Sequence, residues 1–149
     1  RVVKTEDRRL AATLEATLLA AKETSIKDDV HRCSDVMRVW RTEQPWLAHL
    51  ALNHLFRPDL LARVVAGAHE SFAGVFALLE RRHGLRELTQ AERTYILCTG
   101  MMLESLHASQ LAGTEEESVR VQIVVNLLES AQSRSTTDEI VELAAGEGA

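Results

Sequence analysis

Two pairs of glutamate and histidine occur at a spacing that could hold a metal. Glu80 and His83, like Glu104 and His107, are three positions apart, so on a helix both members of a pair project from one face. Bundles that bind two metal ions with such pairs also need an inward-facing glutamate from each of two further helices. Gly84, a natural helix-ending residue, follows the first pair directly and so places it outside a bundle core. We therefore predict no metal and no cofactor, and interpret both pairs as solvated side chains.

The residues that commonly act as nucleophiles lie in unfavourable surroundings. Cys33 and Cys98 both fall within apolar stripes, where a thiol stays protonated and unreactive. The sequence has neither a Gly-x-Ser-x-Gly elbow nor a glycine-rich phosphate loop. We predict that the chain is not an enzyme, and a metal- or cofactor-dependent helical enzyme ranks third among the interpretations.

Apolar and polar side chains on successive segments could instead line a space for a small molecule. Ligand sites are usually apolar with a few polar groups, and methionines adapt to irregular shapes. The same residues would also pack as a solid core, and the sequence leaves both arrangements open. The candidate pocket residues are Met37, Trp40, His49, Asn53, Phe72, Phe76, Cys98, Met101, Met102 and Ser105.

Composition favours a soluble helical domain as the carrier of these residues. The chain has 149 residues, 46% hydrophobic and 26% charged, with only two prolines and seven glycines. So few chain breakers leave little room for the turns of an all-β fold. The net charge of −5 and the low aromatic content of 4% argue against nucleic-acid binding by this chain itself. We also predict no membrane span, no signal peptide and a reducing, cytoplasmic location.

Every long segment repeats its apolar residues with the period of an α-helix. A hydroxyl side chain that can cap a helix, or a proline at its first position, stands at the start of each segment. These signals predict an all-α antiparallel bundle of six to seven helices. The start signals are Thr5, Ser25, Pro45, Pro58, Thr89, Thr114 and Thr136, and Gly84 ends the fourth helix. The predicted helices cover residues 5–22, 25–43, 46–56, 58–83, 89–113 and 114–132, with a short seventh from 136.

Two of these helices are too apolar to be hidden by one small domain. Almost no polar face remains between residues 119 and 128 or between 95 and 106, so each helix must be buried on more than one side. A second copy of the chain is the simplest cover, because two-fold homodimers are the commonest assemblies. The candidate interface residues are Leu103, Leu106, Val121, Val124, Val125 and Leu128.

The order and lengths of the helices resemble the C-terminal domain of TetR (tetracycline repressor)-family transcription regulators. Residues 5–22 look like the linking helix of that family. Residues 25–84 look like its pocket helices, including a short helix introduced by a proline, here Pro45-Trp46-Leu47. Residues 89–113 and 114–132 look like its dimerising helix pair. The resemblance divides the chain into a linking helix over 1–24 and a ligand-binding and dimerisation bundle over 25–149.

The resemblance implies a ligand-responsive transcriptional regulator, most often a repressor, of which this chain is the effector-binding and dimerisation domain. The implied partners are a second copy of the chain and a small apolar or amphipathic effector. Operator DNA would bind only through a helix-turn-helix unit, which we expect upstream because the chain opens at Arg1 and not at methionine. The alternative is a stand-alone helical ligand-binding or adaptor bundle without DNA-binding activity.

Overall fold

The computed structural model describes residues 2–22, 24–43, 57–108 and 114–132. All regular structure in these residues is helical, which confirms the all-α class. An isolated antiparallel bridge joins Leu85 to Gln132. The predicted helices over 46–56 and from 136 lie outside the described residues. The five described helices are α1 (Val2–Ala20), α2 (Ile26–Glu43), α3 (Pro58–His83), α4 (Gln90–Ala108) and α5 (Thr114–Ser130).

Local sequence signals set three of the helix ends. The Ser25 hydroxyl accepts a hydrogen bond from the backbone N–H of Asp28, at 3.1 Å, and so caps α2. At the start of α4 the capping box is reciprocal: Glu92 N–H donates to Thr89 Oγ1 at 3.1 Å, and Thr89 N–H donates to Glu92 Oε1 at 2.9 Å. Gly84 follows α3 with φ of 60°, the left-handed conformation that glycine adopts without strain. These predicted caps are confirmed.

The limits of α1 differ from the predicted 5–22. Because α1 already begins at Val2, Thr5 lies inside the helix and the prediction that it is the N-cap is wrong. At the other end, the guanidinium of Arg82 in α3 donates hydrogen bonds to the carbonyl oxygens of Ala21 and Lys22, both at 3.2 Å. Carbonyls at a helix end need such donors. A distant arginine supplies them here, which no local pattern in the sequence indicates.

The central helix is α3, which packs against α1 on one side and α4 on the other. Around it lie two apolar clusters, and Phe72 of α3 touches both. The α1–α3 cluster consists of Leu10, Ala11, Leu14, Leu18, Val75, Leu78 and Leu79. The α2–α5 cluster, which also includes residues of α3 and of the α3–α4 connection, consists of Ile26, Val30, Phe76, Leu85, Leu88, Val121, Val125, Leu128 and Ala131.

The apolar character of α3 also meets the length and hydropathy criterion for a membrane-crossing helix, with a mean hydropathy of 1.2 over its best window. Among the described residues, α3 is the one helix that meets this criterion. Core helices of soluble proteins satisfy the same criterion, and α3 contributes to both apolar clusters. Of that apolar window, 17% is buried inside the described structure.

The predicted interface residues on α5 require a correction. Val121, Val125 and Leu128 are buried inside the chain itself, with exposed fractions of 7%, 1% and 1%. Their spacing of four and three positions forms one helix face, and that face packs into the α2–α5 cluster. These three side chains are therefore not available to a second copy. Val124 packs against the same cluster, and the side chains of Leu103 and Leu106 lie outside the described part of the structure.

Replacing Gly67 with alanine is expected to raise the free energy of unfolding by about 0.5–1 kcal/mol. Gly67 lies within α3, and a Cβ there would have no other atom within 4 Å. The methyl group therefore restricts the unfolded chain without a clash in the folded one. Urea unfolding measures the change. Gly84→Ala is the control with the opposite sign, because its left-handed backbone is strained for any side chain; a destabilised Gly67→Ala would contradict the argument.

Candidate functional site

A cavity of about 180 Å³ lies where the two apolar clusters meet. All five helices contribute to its wall. Leu14 comes from the α1–α3 cluster, and Val30 and Leu128 come from the α2–α5 cluster. Cavities of about 150 Å³ in protein cores are large enough for a molecule such as benzene. The bundle therefore has room for a small apolar ligand.

Three of the predicted pocket residues line this cavity: Met37 of α2, and Phe72 and Phe76 of α3. Two others do not line it. Trp40 packs against the α1–α3 cluster, and Cys98 is half-buried elsewhere on α4. His49 and Asn53, and the side chains of Met101, Met102 and Ser105, lie outside the described part of the structure.

The polar residue that sequence reasoning missed is Asp7, which lines the cavity from α1. An acidic residue near the start of a helix has a local role beside the positive end of the helix dipole. Asp7 nevertheless precedes Leu10 and Leu14 by three and seven positions, so it shares their buried face. Extending the apolar stripe of α1 backwards by one turn would have found it. Gly100 of α4 is a second missed lining residue, and a Cβ there would lie 3.3 Å from Met37 Cε.

Burial raises the pKa of Asp7 from 3.8 to about 6. The apolar wall disfavours the charged carboxylate, because it replaces water with groups that cannot solvate charge. Within the described part of the structure no basic side chain compensates for this cost. Of its neighbours on α1, Arg8 pairs with Glu70 and Arg9 pairs with Glu6. At neutral pH the cavity therefore holds a poorly solvated negative charge.

Asp7→Asn is expected to stabilise the protein by about 1 kcal/mol at pH 8, and by much less near pH 4. A carboxyl whose pKa is higher in the folded state contributes stability below pH 4 that is lost as the pH rises through 6. Asparagine keeps the shape and never ionises, so the gain over wild type appears only at the higher pH. Thermal unfolding at both pH values checks this. The adjacent Glu6→Gln is the control, and a gain for Asp7→Asn that is equal at both pH values would contradict it.

The thiol of Cys33 also lines the cavity, but it is not a nucleophile there. Burial raises its pKa to about 12, and the charge of Asp29 acts in the same direction. A protonated thiol is a weak nucleophile and a poor metal ligand. Among the described residues that line the cavity, Asp7 is consequently the group that carries charge at neutral pH.

A network of hydrogen bonds around the buried carboxylate of Asp29 joins the ends of three helices. Asp29 of α2 is fully buried, and its carboxylate accepts hydrogen bonds from Arg82 Nε at 2.9 Å and His83 Nε2 at 2.6 Å. Thr24 Oγ1 donates a further bond at 2.7 Å, and Arg32 Nη1 another at 3.0 Å. Burial alone would raise the pKa of Asp29, but the hydrogen bonds from Arg82, Thr24 and His83 outweigh it and lower the pKa. We call Asp29, Arg82, His83 and Thr24 the Asp29 network.

The interpretation of the first Glu-x-x-His pair as solvated is wrong, because the side chains of Glu80 and His83 are largely buried in two separate structural contacts. His83 belongs to the Asp29 network. The Glu80 carboxylate instead accepts hydrogen bonds from the backbone N–H of Leu88 at 2.6 Å and from Arg93 Nη2 at 3.2 Å. Within the described residues, no group of three or more histidine, cysteine, aspartate or glutamate side chains is placed to hold a metal ion. The side chains of the second pair, Glu104 and His107, lie outside them.

The comparisons with known proteins identify no relative of this chain. No protein-family model, no curated protein and no solved structure matches the chain.

Proposed function

We propose that this chain is the effector-binding and dimerisation part of a TetR-type transcriptional regulator. The observation that supports the proposal is the apolar cavity, whose wall includes residues of α1 as well as of α2–α5. In this proposal α1 is the linking helix that leads to a DNA-reading unit. A molecule in the cavity would touch α1 directly at Asp7 and Leu14, so ligand binding and the position of the linking helix are coupled.

The Asp29 network suggests how α1 would move. Arg82 holds the carbonyls that follow the C-terminal end of α1, while Asp7 lies in the N-terminal half of that helix. A ligand that displaces the N-terminal half would swing α1 about its anchored end. In a dimer this changes the separation of two DNA-reading units, which must match major grooves about 34–36 Å apart. The ligand acts only if it binds one of the two arrangements more tightly.

Binding of a neutral hydrocarbon tests the cavity itself. Propylbenzene is expected to bind and to raise the thermal unfolding midpoint. Gly100→Ala adds one methyl group at the cavity wall and is expected to weaken binding about tenfold. Gly67→Ala adds the same methyl group in open space and should leave binding unchanged. Absence of binding, or equal affinities for the two variants, would contradict a ligand site here.

The intact mass of the natural gene product tests the regulator as a whole. A mass about 5–6 kDa above the 16.6 kDa of this chain leaves room for a three-helix DNA-reading unit. Binding of that product to DNA, and its release by a cavity ligand, would support the proposal. A mass of 16.6 kDa would favour the stand-alone binding bundle instead.

Ile123→Glu is expected to convert a homodimer into a monomer without unfolding it. Val119 and Ile123 are large apolar residues of α5 that stay exposed, at 54% and 37%, and they lie one turn apart on the same face. We place the dimer contact of the proposed regulator on this face. A glutamate there would bury an unpaired charge between the two copies. Size-exclusion chromatography with light scattering measures the mass.

The matched control for the dimer contact is Gln122→Glu, which adds the same charge at an exposed neighbouring position of α5. It should leave the mass unchanged. A wild-type protein of 16.6 kDa in solution, or a dimer that survives Ile123→Glu, would reject this surface.

A further inference from the structure

We propose that the cavity takes a small apolar molecule carrying one protonated amine, and that the carboxylate of Asp7 is the group that pairs with the amine. This inference rests on the proposed function only in treating the cavity as a ligand site. It adds the chemical class of the ligand and the residue that selects it.

The first argument is the composition of the cavity wall. Among the described lining residues, Asp7 is the one with a charged side chain, and Cys33 stays protonated. The other lining side chains are aliphatic, aromatic or methionine. Such a wall selects the apolar body of a ligand by shape and leaves its polar end to a single group. A ligand with several polar groups would leave all but one of them buried and unpaired, which is unfavourable.

The second argument is that Asp7 has no cationic partner in the described structure. The nearest arginines in sequence are engaged elsewhere: Arg8 Nη2 lies 3.8 Å from Glu70 Oε1, and Arg9 Nη1 lies 3.2 Å from Glu6 Oε1. Desolvation is the cause of the raised pKa of Asp7, with no opposing charge to lower it. An ammonium group of a ligand supplies that missing charge, and a charge-assisted hydrogen bond in apolar surroundings is stronger than one in water.

The third argument is the available volume. About 180 Å³ corresponds to about seven non-hydrogen atoms, in proportion to the six of benzene in a cavity of about 150 Å³, and the cavity is not fully enclosed. This is one ring with a short side chain. Phe72 and Phe76 can pack against a ring, and Met37 can adjust to its outline. The cavity therefore favours an arylalkylamine or a compact aliphatic amine over a larger polycyclic cation.

Three probes of similar size separate charge from shape. Phenethylamine carries the amine, propylbenzene is its neutral isostere, and phenylacetate carries the opposite charge. Affinities are measured by calorimetry at pH 7.5 for wild type, for Asp7→Asn and for the exposed-site control Asp28→Asn. Asp7→Asn keeps the side-chain shape and is expected to fold at least as stably as wild type, so a loss of binding is not a loss of fold.

In the wild type and in Asp28→Asn, phenethylamine is expected to bind at least about tenfold more tightly than propylbenzene, and phenylacetate more weakly than both. In Asp7→Asn the preference for the amine should disappear while propylbenzene binding is retained. If propylbenzene binds wild type and the amine has no advantage, the inference is overturned and the ligand site stands. A preference that survives Asp7→Asn overturns the role of Asp7, and failure of both propylbenzene and the amine to bind overturns the ligand site as well.

Discussion

Asp29→Ala is expected to lower the free energy of unfolding by about 3–5 kcal/mol, the range for breaking a buried ion pair from one side. The substitution removes a fully buried carboxylate and deprives Arg82 Nε and His83 Nε2 of their acceptor. Arg82 keeps its bonds to Ala21 and Lys22, whereas Thr24, at the connection between α1 and α2, loses its bond to Asp29. Urea unfolding followed by circular dichroism measures the loss.

The control for this loss is Asp28→Ala, one position earlier on α2. Asp28 is exposed and lies in the first turn of the helix, where its charge contributes about 0.3–1 kcal/mol through the helix dipole. A similar loss for the two variants would show that Asp29 acts only through the dipole. A second signature is pH dependence: because the pKa of Asp29 is lowered, its contribution is present above pH 4 and is lost as the pH falls further. Asp29→Ala should lack that acid-dependent part.

Leu128→Ala is expected to lower the free energy of unfolding by about 2–5 kcal/mol. Leu128 is 1% exposed, belongs to the α2–α5 cluster and lines the cavity. Its truncation therefore removes apolar contacts and enlarges a space that the neighbours already leave unfilled. The half-buried Leu127→Ala, adjacent on the same helix, should lose less. Equal losses for the two variants would contradict the burial of Leu128.

The protein-concentration dependence of the same experiment distinguishes a core residue from an interface residue. A side chain packed inside one chain contributes the same stability at every protein concentration, whereas one in a dimer contact contributes through association. We expect the difference in the free energy of unfolding between Leu128→Ala and wild type to stay constant when the protein is diluted about a hundredfold. A difference that becomes smaller on dilution would indicate that Leu128 lies in a dimer interface.

The sequence predicted the fold better than it predicted the cavity. Helix ends are coded by neighbouring residues, so Ser25, Pro58, Gly84 and the Thr89 capping box could be recognised from types and spacing alone. The end of α1 could not, because the donor that satisfies it, Arg82, is about sixty positions away. Where a tertiary contact determines the end of a helix, the local sequence pattern does not indicate that end.

The candidate site, too, could be predicted from the sequence only in part. Met37, Phe72 and Phe76 were predicted because they are large apolar residues on amphipathic stripes. Asp7 was not, since an acidic residue near a helix start has an obvious local role that hides its membership of the buried face. The orientation of α5 was also missed: a helix that is apolar on most sides shows no preferred face, and packing alone selected Val125 over Ile123 for the interior.

The position of α3 between two apolar clusters has a consequence for how the protein loses its structure. Each cluster takes part of its side chains from α3, and Phe72 belongs to the contacts of both. Neither cluster can therefore open without exposing the helix that supports the other. Separating one side of the bundle therefore disturbs the other side as well, and we expect the described helices to unfold as one cooperative unit.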